Sequence, residues 1–231
     1  MPDIPNRPEL EAELAKRFSR LSIAQRKELL TLLGDPPNYA NVPLAFWDKM
    51  TNELRGALVP FLAELFMESA ERLVDTLPIG VDWNLINTRA SSWAARYGGE
   101  LIKGITETTR RAVNEAIAAF FETGGMTRAD LEARLMRIFG PKRAEMIAIT
   151  EVTRAAAEGE IQIGSELAKA GILMQAVWNT RNDELVCPIC GPLNQQKATE
   201  YSGDRKPYWG GLTPPAHPRC RCFIGWELPG G

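Results

Sequence analysis

Through roughly the first three-quarters of the chain, apolar residues recur at intervals of three and four, the period of an amphipathic helix; after Gly171 the pattern shortens to that of strands. Leu10, Leu14, Phe18 and Leu21 open the helical series. Ser22-Ile-Ala-Gln25 then has the spacing of a capping box, which predicts a break and a second helix carrying Leu29, Leu30 and Leu33, stopped by Gly34-Asp-Pro-Pro37. The pair reads as a small helical hairpin that docks onto something larger. Apolar positions resume from Pro43 to Leu77, with Pro60 placed to kink or split the segment and Leu77-Pro-Ile-Gly80 to end it.

The longest helical region is expected from Asn84 to Phe121, where Trp93, Tyr97, Leu101, Ile105, Val113 and Ile117 are spaced mostly by fours around Gly98-Gly99, and Gly124-Gly125 closes it. Thr127-Arg-Ala-Asp130 caps a short helix bearing Leu131, Leu135 and Ile138. Gly140-Pro141 separates it from a helix running to Lys169-Ala-Gly171, with Ile149, Val152, Ala156, Ile163 and Leu167 on one face and Glu151, Arg154 and Glu158 on the other. Beyond it, Ile172–Asn179 is strand-like, Arg181–Glu184 is turn-like, Glu184-Leu-Val186 reads as a second short strand, residues 193–216 as a loop, and Phe223–Leu228 as a closing strand. The fold class expected is α+β, a mostly helical N-terminal body with a small C-terminal β module, zinc-stapled through its Cys187/Cys190 and Cys220/Cys222 pairs and His217. Its parts would be an N-terminal helical region at 1–80, a helical part at 84–171 and the β module at 172–231.

Composition narrows the classes. With 45% hydrophobic and 24% charged residues, the chain can bury a substantial core. A net charge of -2 speaks against a dedicated nucleic-acid binder. No apolar run is long enough to span a bilayer, and the start Met1-Pro-Asp-Ile-Pro lacks the pattern of an export signal, so the expectation is synthesis in the cytoplasm and no membrane partner.

The chemistry gathers near the C-terminus. All four cysteines lie there, as Cys187-Pro-Ile-Cys190 and Cys220-Arg-Cys222, and the only histidine, His217, stands three residues before the second pair. Two chelating pairs joined by a loop bring soft ligands together at modest entropic cost, and tetrahedral Zn2+ accepts three or four thiolates with an imidazole replacing one. Cys187, Cys190, His217, Cys220 and Cys222 are thus candidate ligands to a structural Zn2+, four of the five being needed. In an extended Cys220-Arg-Cys222 the sulfurs would point opposite ways, so either the chain turns there or one cysteine is a spare. Two disulfides fit less well, because such pairs close tiny loops in a chain expected to stay in a reducing compartment. A redox dithiol fits less well too, since Pro188 and Gly191-Pro192 favour a knuckle in a loop over a helix start.

Catalytic readings find little to use. One histidine cannot supply a zincin motif, a zinc deaminase needs its histidine ahead of the first cysteine pair, and a nuclease using His217 as base would lose it to the metal. Glu151, Arg154 and Glu158 read as a solvated or ion-paired helix face, although Thr150-Glu151 could pack on the zinc module with Glu151 accepting a bond from its backbone. Arg181, Lys197, Arg205, Lys206, Arg219 and Arg221, interleaved with Tyr201, Tyr208 and Trp209, are nearly balanced by Asp183, Glu184, Glu200, Asp204 and Glu227. Weak contact with DNA is the most this supports.

Arg143-Ala144, Ile147-Ala-Ile-Thr-Glu151, Arg154-Ala155, Val177-Trp178, Asp183, Cys187-Pro-Ile-Cys190 and Pro214-Pro-Ala-His217-Pro-Arg-Cys220-Arg-Cys222 together resemble the phage head morphogenesis family, also called phage Mu protein F-like. Thr106-Glu-Thr-Thr109 and the Gly-Gly-Met-Thr127 that follows resemble its preceding helical part, so the likeness covers roughly Asn84 to Leu228. Ile149 stands where that family commonly has a basic residue. The resemblance implies a non-enzymatic minor capsid protein that takes part in procapsid assembly near the portal, with portal or capsid proteins as partners and the virion or procapsid as its location. The alternative is a zinc-dependent DNA-contacting or nuclease-like protein.

Overall fold

The computed structural model describes residues 4, 6–75, 80–181, 183–198, 207 and 209–227. Among them, five α-helices dominate: α1 (Arg7–Leu33), α2 (Leu44–Asp75), α3 (Trp83–Glu122), α4 (Arg128–Ile138) and α5 (Pro141–Lys169). Two strands, β1 (Gln175–Asn179) and β2 (Phe223–Glu227), pair antiparallel with Trp178 opposite Ile224 and Ala176 opposite Trp226. The chain is mostly helical with a small sheet near its C-terminus, as the change of period foretells.

Three expectations need correction. Helix α1 does not break at Ser22. Ser22 and Gln25 are buried and continue the stripe of Leu14, Phe18, Leu29 and Leu33, so the Ser-x-x-Gln spacing is part of a helical face rather than a cap. Gln25 Nε2 donates to Glu53 Oε2 at 3.0 Å within that face. Helix α2 is not split at Pro60 but runs on through it, with Leu58, Phe61 and Leu62 buried around it. Glu184-Leu-Val186 is a turn instead of a strand. The Asp183 carboxylate accepts the Leu185 amide at 3.0 Å, and the Asp183 carbonyl accepts that of Val186 at 3.2 Å. The expected stop at Leu77-Pro-Ile falls outside the described residues, as do Tyr201, Arg205, Lys206, Tyr208 and Leu228. Thr127 does cap α4, in a reciprocal capping box with Asp130.

The described residues pack as two compact units, Met1–Glu11 with Leu62–Trp93 and Ile147–Gly231, and Ala12–Phe61 with Ala94–Met146. The second unit buries Leu14, Phe18, Trp47, Leu54, Ile105, Val113 and Leu135. Arg143, at the start of α5, donates to Thr109 Oγ1 at 2.9 Å, Thr108 Oγ1 at 3.0 Å and the Ile138 carbonyl at 3.0 Å. These three bonds fix the turn between α4 and α5 onto α3.

The first unit holds the cysteines. Its core joins Leu65, Phe66 and Leu73 of α2, Trp93 of α3, Val152, Ala156 and Ile163 of α5, and the inward residues of both strands, Trp178 and Trp226 included. Helices α2 and α5 approach closely at Gly159, where an added Cβ would stand 2.3 Å from the Phe66 carbonyl oxygen. At the next residue, Glu160 lies almost fully buried against the Arg72 guanidinium, which donates to its carboxylate. Burial raises the Glu160 carboxyl to about 7 even though Arg72 favours its charged form. Gly171, with φ +83, ends α5 and lets the chain turn into β1.

Candidate metal centre

Each cysteine pair is shaped by its own backbone. In the first, the Cys187 carbonyl accepts the amides of Cys190 at 3.2 Å and Gly191 at 2.9 Å, and the Cys190 amide also points at Cys187 Sγ, 3.3 Å away. Such a knuckle turns both side chains to one side, and amide hydrogens aimed at sulfur favour the thiolate. In the second, the Cys220 amide donates to the His217 carbonyl at 3.1 Å, closing a turn across Pro218 and Arg219. Arg219 takes a positive φ of 63.

The five side chains that the sequence singles out come together. Cys187, Cys190 and His217 form one group of donors and Cys190, Cys220 and Cys222 another, with the ligand atoms of each within 4.8 Å of one another and Cys190 common to both. His217 Nε2 lies 3.0 Å from Cys187 Sγ and 3.2 Å from Cys190 Sγ, and Cys190 Sγ lies 3.9 Å from Cys220 Sγ. With Cys220 and Cys222 both facing Cys190, the chain turns at Arg221, and neither cysteine points away as a flat strand would require. All four cysteines are free thiols; Cys190, Cys220 and Cys222 are buried, and Cys187 and His217 are half-buried.

A metal ion suits this set. A tetrahedral site with thiolate and imidazole ligands has S···S edges of roughly 3.8 Å and S···N edges of roughly 3.5 Å; the Cys190–Cys220 separation matches the first, and the imidazole nitrogen stands a few tenths of an ångström inside the second. The imidazole is already oriented, because Nδ1 donates to the Pro218 carbonyl at 2.8 Å and leaves Nε2 with its lone pair toward the sulfurs. Electrostatics in the metal-free cluster tell the same story. Burial and the neighbouring Cys220 push the Cys190 thiol up to about 12, while hydrogen bonding from Cys222 holds Cys220 down at about 5 against its own burial. The Cys222 thiol is raised correspondingly, by its hydrogen bond to Cys220 and then by burial. Crowded thiols that cannot all ionise alone are what a divalent cation relieves.

Helix α5 grips the second pair by its backbone. The Arg219 amide donates to Thr150 Oγ1 at 2.9 Å, and Thr153 Oγ1 donates to the Cys220 carbonyl at 2.7 Å. The expected docking of Thr150-Glu151 is therefore present, with the Thr150 hydroxyl taking the amide. Glu151 is buried, 3.8 Å from Arg154, so the solvated face expected for that cluster does not extend to it. Asp183 joins the two halves of the loop through an ion pair of 2.7 Å with Arg221.

The basic residues of this region are largely engaged. Arg221 pairs with Asp183 and Lys197 lies 3.6 Å from Glu227. Trp209 is buried edge-on against Trp178 with centroids 5.3 Å apart, and its indole N–H donates to the Gln196 carbonyl at 2.8 Å. That ring covers the sheet and offers no face on which a base could stack. Sequence reasoning missed Arg7, Thr153 and Glu160. Glu160 had a visible signal, since it falls on the apolar stripe between Ala156 and Ile163; Arg7 had none.

The family model for phage Mu protein F-like protein matches residues 107–224, about half of the chain. The chain belongs to this family of phage head morphogenesis proteins. No curated protein and no solved structure matches it. The matched segment includes all five candidate ligands together with Thr150, Thr153 and Asp183, the residues that brace them. It also includes Thr108, Thr109 and Arg143, whose mutual bonds explain why those types stand at those positions. Among the described residues no helix is long and apolar enough to cross a membrane.

Proposed function

We propose that this phage Mu protein F-like chain is a non-enzymatic minor capsid protein of the virion or procapsid, that it takes part in procapsid assembly near the portal with portal or capsid proteins as partners, and that its Cys/His cluster holds one structural Zn2+. The observation that carries the reading is the closure of the cluster. The space among the cysteines, His217, Arg219 and Arg221 is about 20 Å3, room for an ion and not for a substrate. Metal sites made wholly of protein ligands are structural, whereas catalytic ones keep a position open. Five soft or borderline donors, with no carboxylate in either group, favour zinc over magnesium or calcium. Bound zinc would supply cross-linking of the two knuckles, and its binding free energy would become folding free energy of the loop between β1 and β2.

The test compares wild type with His217→Cys, which preserves a ligand. Association with portal or procapsid and one zinc per chain in both proteins, with no DNA cleavage by either, is the expected result. Metal-stimulated cleavage by wild type that disappears in His217→Cys would overturn the structural reading and favour the nuclease-like alternative.

A further inference from the structure

The three braces on the Arg219–Arg221 backbone do not all come from the matched family segment. Arg7, in the first turn of α1, is 1% exposed although it carries a permanent charge. Its Nη1 donates to the Arg221 carbonyl at 2.8 Å, which is the peptide oxygen between the two cysteines. Its Nη2 donates to Thr153 Oγ1, the same hydroxyl that donates its own proton to the Cys220 carbonyl at 2.7 Å. Its Nε donates to Glu11 Oε1 at 2.8 Å, one turn along α1, which aims the fork and balances its charge.

We infer that Arg7 is a positioning residue of the metal centre, reaching it from residues that the family match does not cover. The inference rests on the metal reading given above. A Cys-Arg-Cys segment bent so that both sulfurs face Cys190 turns its peptide oxygens away from the sulfurs, toward the protein interior. There they require donors. Two successive carbonyls, of Cys220 and Arg221, receive one each, from Thr153 and Arg7. The Thr153 hydroxyl has a single proton, already committed to Cys220, so what it needs in return is a donor, and Arg7 Nη2 is that donor. Among the described residues the planar guanidinium meets acceptors on Glu11, Thr153 and Arg221 at fixed angles. A lysine ammonium is a point charge at the end of a shorter fork and cannot span them. Arg7 thus sets the bend that makes Cys220 and Cys222 converge, as outer residues set the orientation of ligands in metal sites generally.

The experiment uses the full chain as wild type, Arg7→Met, Arg7→Lys and, as a control at an exposed arginine further along the same helix, Arg20→Met. Zinc release to a colorimetric chelator is followed alongside hydrogen exchange of residues 218–224 in the presence and absence of metal, with far-UV circular dichroism confirming helix content. Weakening of zinc retention by about 10- to 100-fold in Arg7→Met, the span typical of outer-sphere substitutions, is expected, with partial loss in Arg7→Lys and none in Arg20→Met. Faster exchange at 218–224 should accompany it even without metal. Wild-type retention and protection in Arg7→Met would overturn the inference, and full rescue by Arg7→Lys would reduce it to charge alone and overturn the fork geometry. If wild type itself holds no zinc, the metal reading falls by that result, and the exchange of 218–224 in metal-free protein still decides whether Arg7 sets the bend.

Discussion

Gly159→Ala should destabilise the unit that carries the cysteines, although alanine is the better helix former. An added Cβ would stand 2.3 Å from the Phe66 carbonyl oxygen, 3.1 Å from the carbon of that carbonyl and 3.3 Å from the Ala70 amide nitrogen. Restoring ordinary contact requires α2 and α5 to separate by about 1 Å, and all three obstructing atoms are backbone, so no side chain can swing aside. Overpacking of this kind costs about 1–3 kcal/mol, with the helix-interior gain of alanine over glycine offsetting about 1 kcal/mol. The rigid obstruction places the cost at the upper end, leaving a net loss of about 2 kcal/mol, or roughly 4–8 °C in melting temperature for a chain of this size. The separation would also disturb the adjacent Arg72–Glu160 pair. Gly104→Ala is the matched control, since it too lies inside a helix but has nothing within 4 Å of its Cβ, and it should be neutral to stabilising by up to about 1 kcal/mol. Because the two compact units can open separately, residue-resolved hydrogen exchange over Leu62–Asp75 and Ile147–Lys169 should accompany thermal melting. A Gly159→Ala protein that melts at or above wild type, with those helices equally protected, would refute the reasoning.

Glu160→Gln should abolish a pH dependence of stability. A carboxyl raised by burial to about 7 when folded binds its proton more tightly in the native state, so its contribution is fully present below the unfolded carboxylate range and is lost as pH rises toward and through 7. Urea titrations from pH 4.5 to 8 should show wild type losing up to about 3 kcal/mol relative to Glu160→Gln across that window, and parallel curves would sink the assignment. Cys190→Ser should weaken metal binding more than substitution of any other candidate ligand, because Cys190 is common to both donor groups, and should raise exchange from residue 172 onward while the helical body stays protected. Uniform loss of protection over Asn84–Lys169 would show instead a single cooperative unit. Purified protein should hold one zinc and release it on acidification with uptake of protons by the thiolates and His217, as followed by elemental analysis and pH-stat titration; a reduced preparation containing no metal would contradict this.

Helix positions were legible because burial repeats with the helical period. Trp93, Ile105, Val113 and Ile117 of α3 and Val152, Ala156, Ile163 and Leu167 of α5 are all buried as their spacing requires. Local chemistry was legible where one reading dominates, as at Thr127-Arg-Ala-Asp130 and at the two cysteine pairs. It failed where one string serves two structures. Ser22-Ile-Ala-Gln25 is a capping box only if the chain breaks before it; inside a continuous helix the same spacing puts two polar side chains on the buried stripe, where Glu53 receives one of them. Glu184-Leu-Val186 alternates like a strand, but the carboxylate just ahead of it captures the Leu185 amide first. Arg7 was illegible in principle, since nothing local distinguishes a surface arginine from one with an acceptor, the Arg221 carbonyl, more than two hundred residues away.

The boundaries of the family match do not coincide with those of a structural unit. The matched residues begin inside α3 and end at Ile224, inside β2. What completes the unit that carries the cysteine loop lies outside them: Trp226, the rest of the β2 register, Phe66 and Arg72 of α2, and Arg7 of α1. Inside them stand residues whose chemistry is specific: the candidate ligands, the threonines that hold the backbone beside them and the aspartate that joins the two halves of the loop. Apolar packing partners, by contrast, can be exchanged among apolar types at modest cost. The centre is defined by bonds that few residue types can make, while the scaffold that aims it is defined by volume and period, and Arg7 is the exception, a bond-specific brace located on the scaffold side.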